Sequence, residues 1–435
     1  MKTYLNNLFE RVSQSLWLMP AMSITLAMVS AYGMLYWEGL GLGTWEDVPL
    51  VYRSGRETSL AIVGAIVGSL VTVAGVTFSI TIVSLTLASS QFGPRLLRNF
   101  LRSPSSQVTL GALIGSFVYG ILIMPAMDDG WEAGKAHPSV TLMIVLACVC
   151  VCLIVHYIHH VATSIQADSL VACVYRELES KIEALPERET EEEGSQQPEW
   201  GKADFVVRAK RSGYLTAIDQ EGLLETAKKG NARISVPKRA GHFVAKGEVV
   251  AEVFGDVNEA SVSKSISDAI FLGDKRTPEQ NLEFLVDQLV ELALRAISPG
   301  INDPNTAIVC IDYLSAALLQ VRSKSLPPAC LVDDEGELRV HCLQTTYDGL
   351  INEAFNQLRQ AGAAYPEIVI RIVNSLERIG VGLAPDDKRV PSLAKQLSQI
   401  VQMESSSAHP RVDGDREDIA ASIARCQKVF AGHRV

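Results

Sequence analysis

From Ser59 to Ser90 the chain carries no charged residue: SLAIVGAIVGSLVTVAGVTFSITIVSLTLASS. A bilayer core asks for about 20 consecutive apolar residues of helix, so this run can cross it and still tilt or protrude. Hydrocarbon offers no partner to backbone polar groups, which makes a helix the fold for such a run. At about 100° per residue, Ala61, Ala65, Gly68, Thr72, Gly75, Ser79, Val83, Thr86 and Ser90 fall on one narrow face. Small and hydroxyl side chains on one face have two readings. They let a second backbone approach closely, or they line a watery path.

Three further spans are expected, at about Trp17–Trp37, Gln107–Met124 and Pro138–Tyr157. The Lys/Arg bias of short loops sets the direction. Lys2 and Arg11 precede the first span, and Arg95, Arg98 and Arg102 follow the second with no acid among them. The other two loops mix their bases with acids. Placing the basic loop inside puts both termini in the cytoplasm. Trp17, Trp37, Trp45 and Trp131 then fall near the interfaces that indole rings favour. No signal-peptide cleavage site is evident, so the first apolar segment is expected to stay.

Two membrane-side patterns carry chemistry. Pro94 to Arg102 reads as a short surface helix, with Arg95, Arg98 and Arg102 on one side and Leu97, Phe100 and Leu101 on another. It is either an interfacial helix holding anionic headgroups or an arginine collar at the inner mouth of a pore. The end of the fourth span, ACVCVCLIVHYIHH, sets Cys148, Cys152, His156 and His160 on one face, with His159 beside it. Thiol and imidazole make a candidate soft-metal set, while small cysteines also fill packed helices and histidines reach headgroups at a helix end.

Charge separates the two halves. The first 160 residues hold 8 Lys/Arg and 8 Asp/Glu, so the whole formal charge of −10 lies beyond them. An acidic remainder excludes nucleic acid as an expected partner, because phosphate binding needs a basic surface. The 8 cysteines, three of them inside an apolar run, make no disulfide framework.

Residues 1–165 are therefore read as a four-helix membrane domain and 166–202 as a helical extension and acidic linker. Residues 203–260 alternate with period two between glycines, with strands expected at 233–236, 243–245 and 249–253 and a short helix in QEGLLETAKKG. The stretch GHFVAKGEVV is similar to the turn-and-strand signature of barrel-sandwich hybrid domains, a resemblance that implies a small β-barrel-like domain, and Gly213, Gly241 and Gly247 are expected at turns of positive φ. Residues 261–435 are expected to be mainly helical. Thr277-Pro278-Glu279-Gln280 reads as a capping box that opens a helix reaching Ile297. Its Glu283, Asp287, Glu291 and Arg295 row is expected to be a solvated face or, in a ring of subunits, to point into a vestibule. In SPGINDPNTA, Ser298, Asn302, Asp303 and Asn305 form a polar turn; Asp303 is placed to cap the next helix, and the cluster at a helix N-terminus is also a candidate anion site. A hairpin is expected around Asp334-Glu335-Gly336, and helices at about 345–361, 366–380, 387–403 and 413–431.

TFSITIVSLTLASSQFGPRLLRNFLR, HYIHHVATSIQ and KRTPEQNLEFLVDQLVELALRAISPGINDPNTA occur in this order, and together the chain resembles the DUF2254 family of predicted bacterial membrane proteins. The resemblance runs from about the first span to about Leu376 and implies four N-terminal spans, a cytosolic C-terminal region and an inner-membrane home. It implies no catalytic residue.

No Walker loop, dinucleotide glycine fingerprint, HExxH motif or nucleophile elbow is present, so neither an enzyme nor a bound cofactor is expected. Three function classes stay open. The first is an oligomeric channel or pore, with Thr72, Gly75, Ser79, Thr86 and Ser90 lining the axis above a cytosolic ring. The second is a membrane-anchored sensor or scaffold in which that face is a packing seam. The third is a metal- or haem-binding membrane protein. The expected partners are the bilayer, further copies of the chain and inorganic ions.

Overall fold

A computed structural model describes residues 18–39, 51–53, 55–92, 104–127, 137–164, 166–187, 198–384, 386–406 and 411–432. The chain divides into two compact units, Met1–Ser169 and Leu170–Val435.

Among the described residues, the first unit holds four long helices: α1 (Leu18–Gly39), α2 (Arg56–Phe92), α3 (Pro104–Ile123) and α4 (Pro138–Ser164). All four are long and apolar enough to cross a membrane. With 37 residues, α2 extends roughly 55 Å at 1.5 Å per residue, well beyond a hydrocarbon core of about 30 Å.

Close packing in this unit comes from a seam on α3 that the opening face of α2 does not supply. A Cβ on Gly111 would stand 2.7 Å from Ser23 Oγ, and one on Gly115 3.1 Å from the Ser23 carbonyl oxygen. These glycines sit four apart, the spacing that lets membrane helices touch backbone to backbone. At Gly120 a Cβ would be 2.4 Å from Val67 Cγ2, so α2 and α4 close on the same helix. The buried side of α2 is Ser59, Val63, Leu70, Thr77 and Ser84, recurring at seven-residue steps after the first turn. One end of the bundle is fastened by polar groups. Glu38 accepts from the Ser139 backbone N–H at 2.7 Å and its hydroxyl at 3.0 Å, a carboxylate at the N-terminal end of α4 where the dipole favours it. Arg56 Nε donates to the Met127 carbonyl at 2.8 Å.

The second unit is α+β with mixed sheets. After α5 (Ala167–Glu183) come β1 (Phe205–Arg208), β2 (Gly213–Ile218), α6 (Gln220–Gly230), β3 (Arg233–Val236), β4 (Phe243–Val244) and β5 (Val249–Phe254). Then follow α7 (Glu259–Ala269), β6 (Ile270–Gly273), α8 (Leu282–Ala296) and α9 (Pro304–Val321). The remainder is β7 (Cys330–Val332), β8 (Leu338–Cys342), α10 (Tyr347–Ala361), α11 (Pro366–Gly380), α12 (Val390–Ser406) and α13 (Asp413–Phe430).

The strands form a five-stranded sheet, β1-β5-β3-β8-β7, and a three-stranded sheet, β4-β2-β6. Both enclose one core built on Leu215, Leu223, Ile234, Val236, Val244, Ala251, Val253, Ile266 and Val340. The β-rich part expected at 203–260 draws strands from beyond that range: β6 pairs with β2, and β8 runs parallel to β3 with Ile234 opposite Val340. Gly241 and Gly247 have φ of +93° and +86°, as expected of turn glycines. Gly213 differs: it lies in β2 beside the Gly273 carbonyl oxygen, where a Cβ would stand 2.8 Å away, so it is needed for close approach.

The helix expected from Thr277 begins later, at Leu282. Asn281 caps it, its side chain accepting from the Phe284 N–H at 3.1 Å. Gln280 cannot serve the expected box because its amide is spent elsewhere. It accepts from Ile218 N–H at 2.9 Å and donates to the Ile218 carbonyl at 3.1 Å, extending the backbone pairing of β2. A fifth helix, α9, also passes the length and hydropathy test for a span. It packs against α8 and α11 and buries Ala307, Cys310, Ile311, Leu314, Leu318 and Val321.

Candidate functional site

Among the described residues, none covers the small-residue face of α2. Ala61, Ala65, Gly68, Thr72, Gly75, Ser79, Val83 and Thr86 are all exposed. A Cβ built on Gly64, Gly68 or Gly75 meets no atom within 4 Å. Each hydroxyl is satisfied inside the helix: Thr72 donates to Gly68 O at 3.1 Å, Ser79 to Gly75 O at 2.9 Å and Thr86 to Ile82 O at 2.9 Å. The side chain of Ser90, and Arg95, Arg98 and Arg102, lie outside the described residues.

On α4, Cys148, Cys152, His156 and His159 are exposed, and the His156 and His160 rings stack with centroids 6.3 Å apart. Among the described residues no group of three or more His, Cys, Asp or Glu is close enough to hold a metal ion.

The polar turn before α9 spends its groups on itself. Asp303 accepts from the Thr306 N–H at 3.2 Å and from the Thr306 hydroxyl at 2.6 Å. Ser298 Oγ donates to Arg295 O at 2.6 Å, and Asn302, at φ +52°, accepts from the Tyr365 hydroxyl at 3.2 Å. Asn305 stays exposed. The capping role therefore accounts for this motif. Asp303→Ala is expected to cost about 1 kcal/mol, read as a lower unfolding midpoint, because it orphans the α9 N-terminal donors.

A charged cleft of about 350 Å³ was not foreseen; it is lined by Lys238, Arg239, Gly241, His242, Phe243, Arg276, Glu283 and Glu353. The loop after β3 brings the first four, and β4 opens with Phe243. The loop is stitched to β2, with Gly241 N–H donating to Leu215 O at 2.7 Å and Leu215 N–H to His242 O at 2.9 Å. The segment before α8 brings Arg276, whose guanidinium lies 5.5 Å from the centre of the Phe284 ring and donates to Asp287 at 2.8 Å. α8 supplies Glu283, paired with Arg239, and α10 supplies Glu353. Lys238 pairs with Glu248 at 2.5 Å.

This corrects the expectation that the acidic row of α8 is solvated. Glu283 is buried and the Asp287 side chain nearly so, because Arg239 and Arg276 reach them from other segments. Nothing in the local period of α8 announces those partners. The basic run Pro237-Lys238-Arg239 beside a glycine, and Arg276 just ahead of α8, were the available signals.

The cleft is bipolar. Burial, then Arg239, Lys238 and Arg276, hold His242 below the usual imidazole range. Burial, then Asp287 and Glu283, push the Glu353 carboxyl up. A carboxyl raised on folding stabilises the fold below its ordinary pKa, and that contribution is lost as the pH rises through the raised value. Glu353 is expected to lower the melting temperature as pH rises through this acid window, against the opposite contributions of Glu248 and Asp333, and Glu353→Gln is expected to remove that downward component when full-length protein is melted from acid to neutral pH.

Long apolar helices followed by an α+β region define a membrane protein. The chain belongs to the family described as predicted membrane protein (DUF2254), whose profile matches residues 13–378. Arg276, Asn281 and Glu283 all lie within the third stretch that carries the resemblance. The chain is similar to the uncharacterized proteins Rv1290c of Mycobacterium tuberculosis and Mb1321c of Mycobacterium bovis, each 26% identical over 431 residues, covering 97% of this chain and 82% of the relative. No solved structure matches.

Proposed function

We propose that this protein sits in the bacterial inner membrane with α1 to α4 as its four spans, both termini in the cytoplasm, and the second unit as its cytosolic part. In this reading α9, although apolar, stays in the soluble core, and the two sheets are a small barrel-like body beside a helical one. Copies associate through the small-residue face of α2. They form a pore-like assembly that passes inorganic ions, with Thr72, Ser79 and Thr86 toward the axis and the second units as a ring. No enzymatic activity, cofactor or nucleic acid enters this reading.

One observation carries it. The small-residue face of α2 is left bare by the described bundle, together with the flanking Val71, Val76, Phe78, Ile82 and Leu87. In lipid, helices gain by close van der Waals contact between small residues, so an uncovered face of this kind favours another copy of itself. A hydroxyl-lined axis also needs no buried charge, and the apolar core of α2 has none.

The second reading, a membrane-anchored sensor or scaffold, rests on the hydroxyls. Thr72, Ser79 and Thr86 already donate to their own helix and need no water. Cysteine at Ser79 should cross-link copies under either reading. Conductance separates them. Full-length protein in planar bilayers should carry current, and Ser79→Leu should abolish it with assembly intact. Silence across voltage, tension and salt defeats the pore. Loss of assembly in Ser79→Leu favours the seam.

A further inference from the structure

Two side chains that line the cleft of the second unit have opposite needs. Glu353 makes no hydrogen bond or ion pair with another described residue, and neither does the His242 ring. The remaining charges are matched within the protein: Lys238 with Glu248, Arg239 with Glu283, and Arg276 with Asp287. We propose that this cleft binds a small zwitterion, its anionic group against His242, Lys238 and Arg239, and its ammonium group against Glu353.

The charges argue for both ends at once. Three cations surround His242: Lys238 and Arg239 on its own loop and Arg276 from the segment ahead of α8, with Glu248 the opposing acid. An anion is attracted there, and Lys and Arg retain donor capacity beyond one carboxylate partner. Glu353 faces the opposite field, with Asp287 and Glu283 of α8 beside it and Arg276 and Arg239 as the opposing bases. An anion alone would leave Glu353 unpaired in the same cleft. A cation alone would meet Lys238, Arg239 and Arg276. A molecule carrying both charges satisfies both ends and brings less net charge into a partly desolvated site than its anionic half alone.

Size points the same way. About 350 Å³ lies at the small end of ligand sites and admits a molecule such as an amino acid or phosphoethanolamine. The walls are held firmly enough to discriminate. Gly241 is pinned to β2 through its N–H, and Phe243 stacks edge-on against Tyr214 at 5.3 Å. The proposal stands on the second unit alone, so its failure leaves the reading of α2 untouched.

Calorimetry on the full-length protein in detergent tests it with phosphoethanolamine and β-alanine, set against their halves: ethanolamine, inorganic phosphate and acetate. At least one zwitterion should bind ten-fold or more tighter than either of its halves, about the worth of one added charge-assisted contact. Glu353→Gln should weaken that zwitterion by about ten-fold and leave inorganic phosphate unchanged, while Lys238→Gln should weaken both. A single cooperative melting transition in each variant shows that the fold is kept. Competition by phosphatidylethanolamine in the micelle assigns the zwitterion to a lipid headgroup, and lack of competition assigns it to a free solute; both support the site. Equal binding of a half and its zwitterion, indifference to Glu353→Gln, or no binding by any probe overturns it.

Discussion

Replacing Arg239 with methionine is expected to destabilise the second unit by about 3–5 kcal/mol, the usual cost of removing one partner from a buried ion pair. The Glu283 side chain is only 6% exposed, against 22% for Arg239, so the acid is the member that cannot reach water. Losing the base leaves a buried carboxylate next to Glu353 and Asp287, two further acids. The opposite substitution, Glu283→Ala, should cost less, because the freed guanidinium can turn toward the open cleft. Two further outcomes mark this mechanism. Lowering the pH should recover part of the stability of Arg239→Met, since protonation removes the stranded charge. The double variant Arg239→Met with Glu283→Leu should recover much of the loss, because apolar replacement of a whole buried pair is often neutral or better. Urea unfolding of the full chain in detergent measures all three. Equal losses in both single variants, unaffected by pH, would mean the pair acts by packing and not by charge.

Local pattern was a good guide wherever one segment decides its own structure. The helix in QEGLLETAKKG, the strands of the alternating region, the hairpin after Asp333 and the amphipathic α11 all follow from periods and turn residues. The expected Asp303 cap stands for the same reason: an Asp-Pro pair satisfies its own helix. Partnerships between distant segments were not legible. Alternation marks β3 as a strand and says nothing of β8, about a hundred residues on, as its parallel neighbour. Gln280 and Asn281 both suit a helix start, and only the position of β2 makes one a strand mimic and the other the cap. In the first unit the glycines of α3 carried a readable signal, four apart within an apolar run, that the longer and smoother face of α2 obscured. The cleft is the extreme case. Its charges come from a loop, a pre-helical segment and two helices, and each stretch alone reads as ordinary surface polarity.

Gly241→Ala should destabilise the protein by roughly 2–4 kcal/mol, combining a left-handed backbone cost of about 1–3 kcal/mol with damage to a helix cap worth about 1 kcal/mol. At φ +93° any L side chain is strained, and here the added Cβ would stand 2.1 Å from Asn281 Nδ2. Asn281 is 2% exposed and has no room to retreat without giving up its hydrogen bond to the Phe284 N–H. Gly247→Ala is the matched control. Its φ of +86° is nearly the same, yet nothing lies within 4 Å of the position, so it should show the backbone cost alone. The difference between the two midpoints in one urea series isolates the collision with Asn281. That collision has a consequence for the cleft, because Asn281 sets where α8 begins and Glu283 is two residues further on. A shifted α8 start moves Glu283 against Arg239, so Gly241→Ala and Arg239→Met should be non-additive, with the double variant less destabilised than the sum of the two. Simple additivity would show that the loop and the helix start hold the cleft independently.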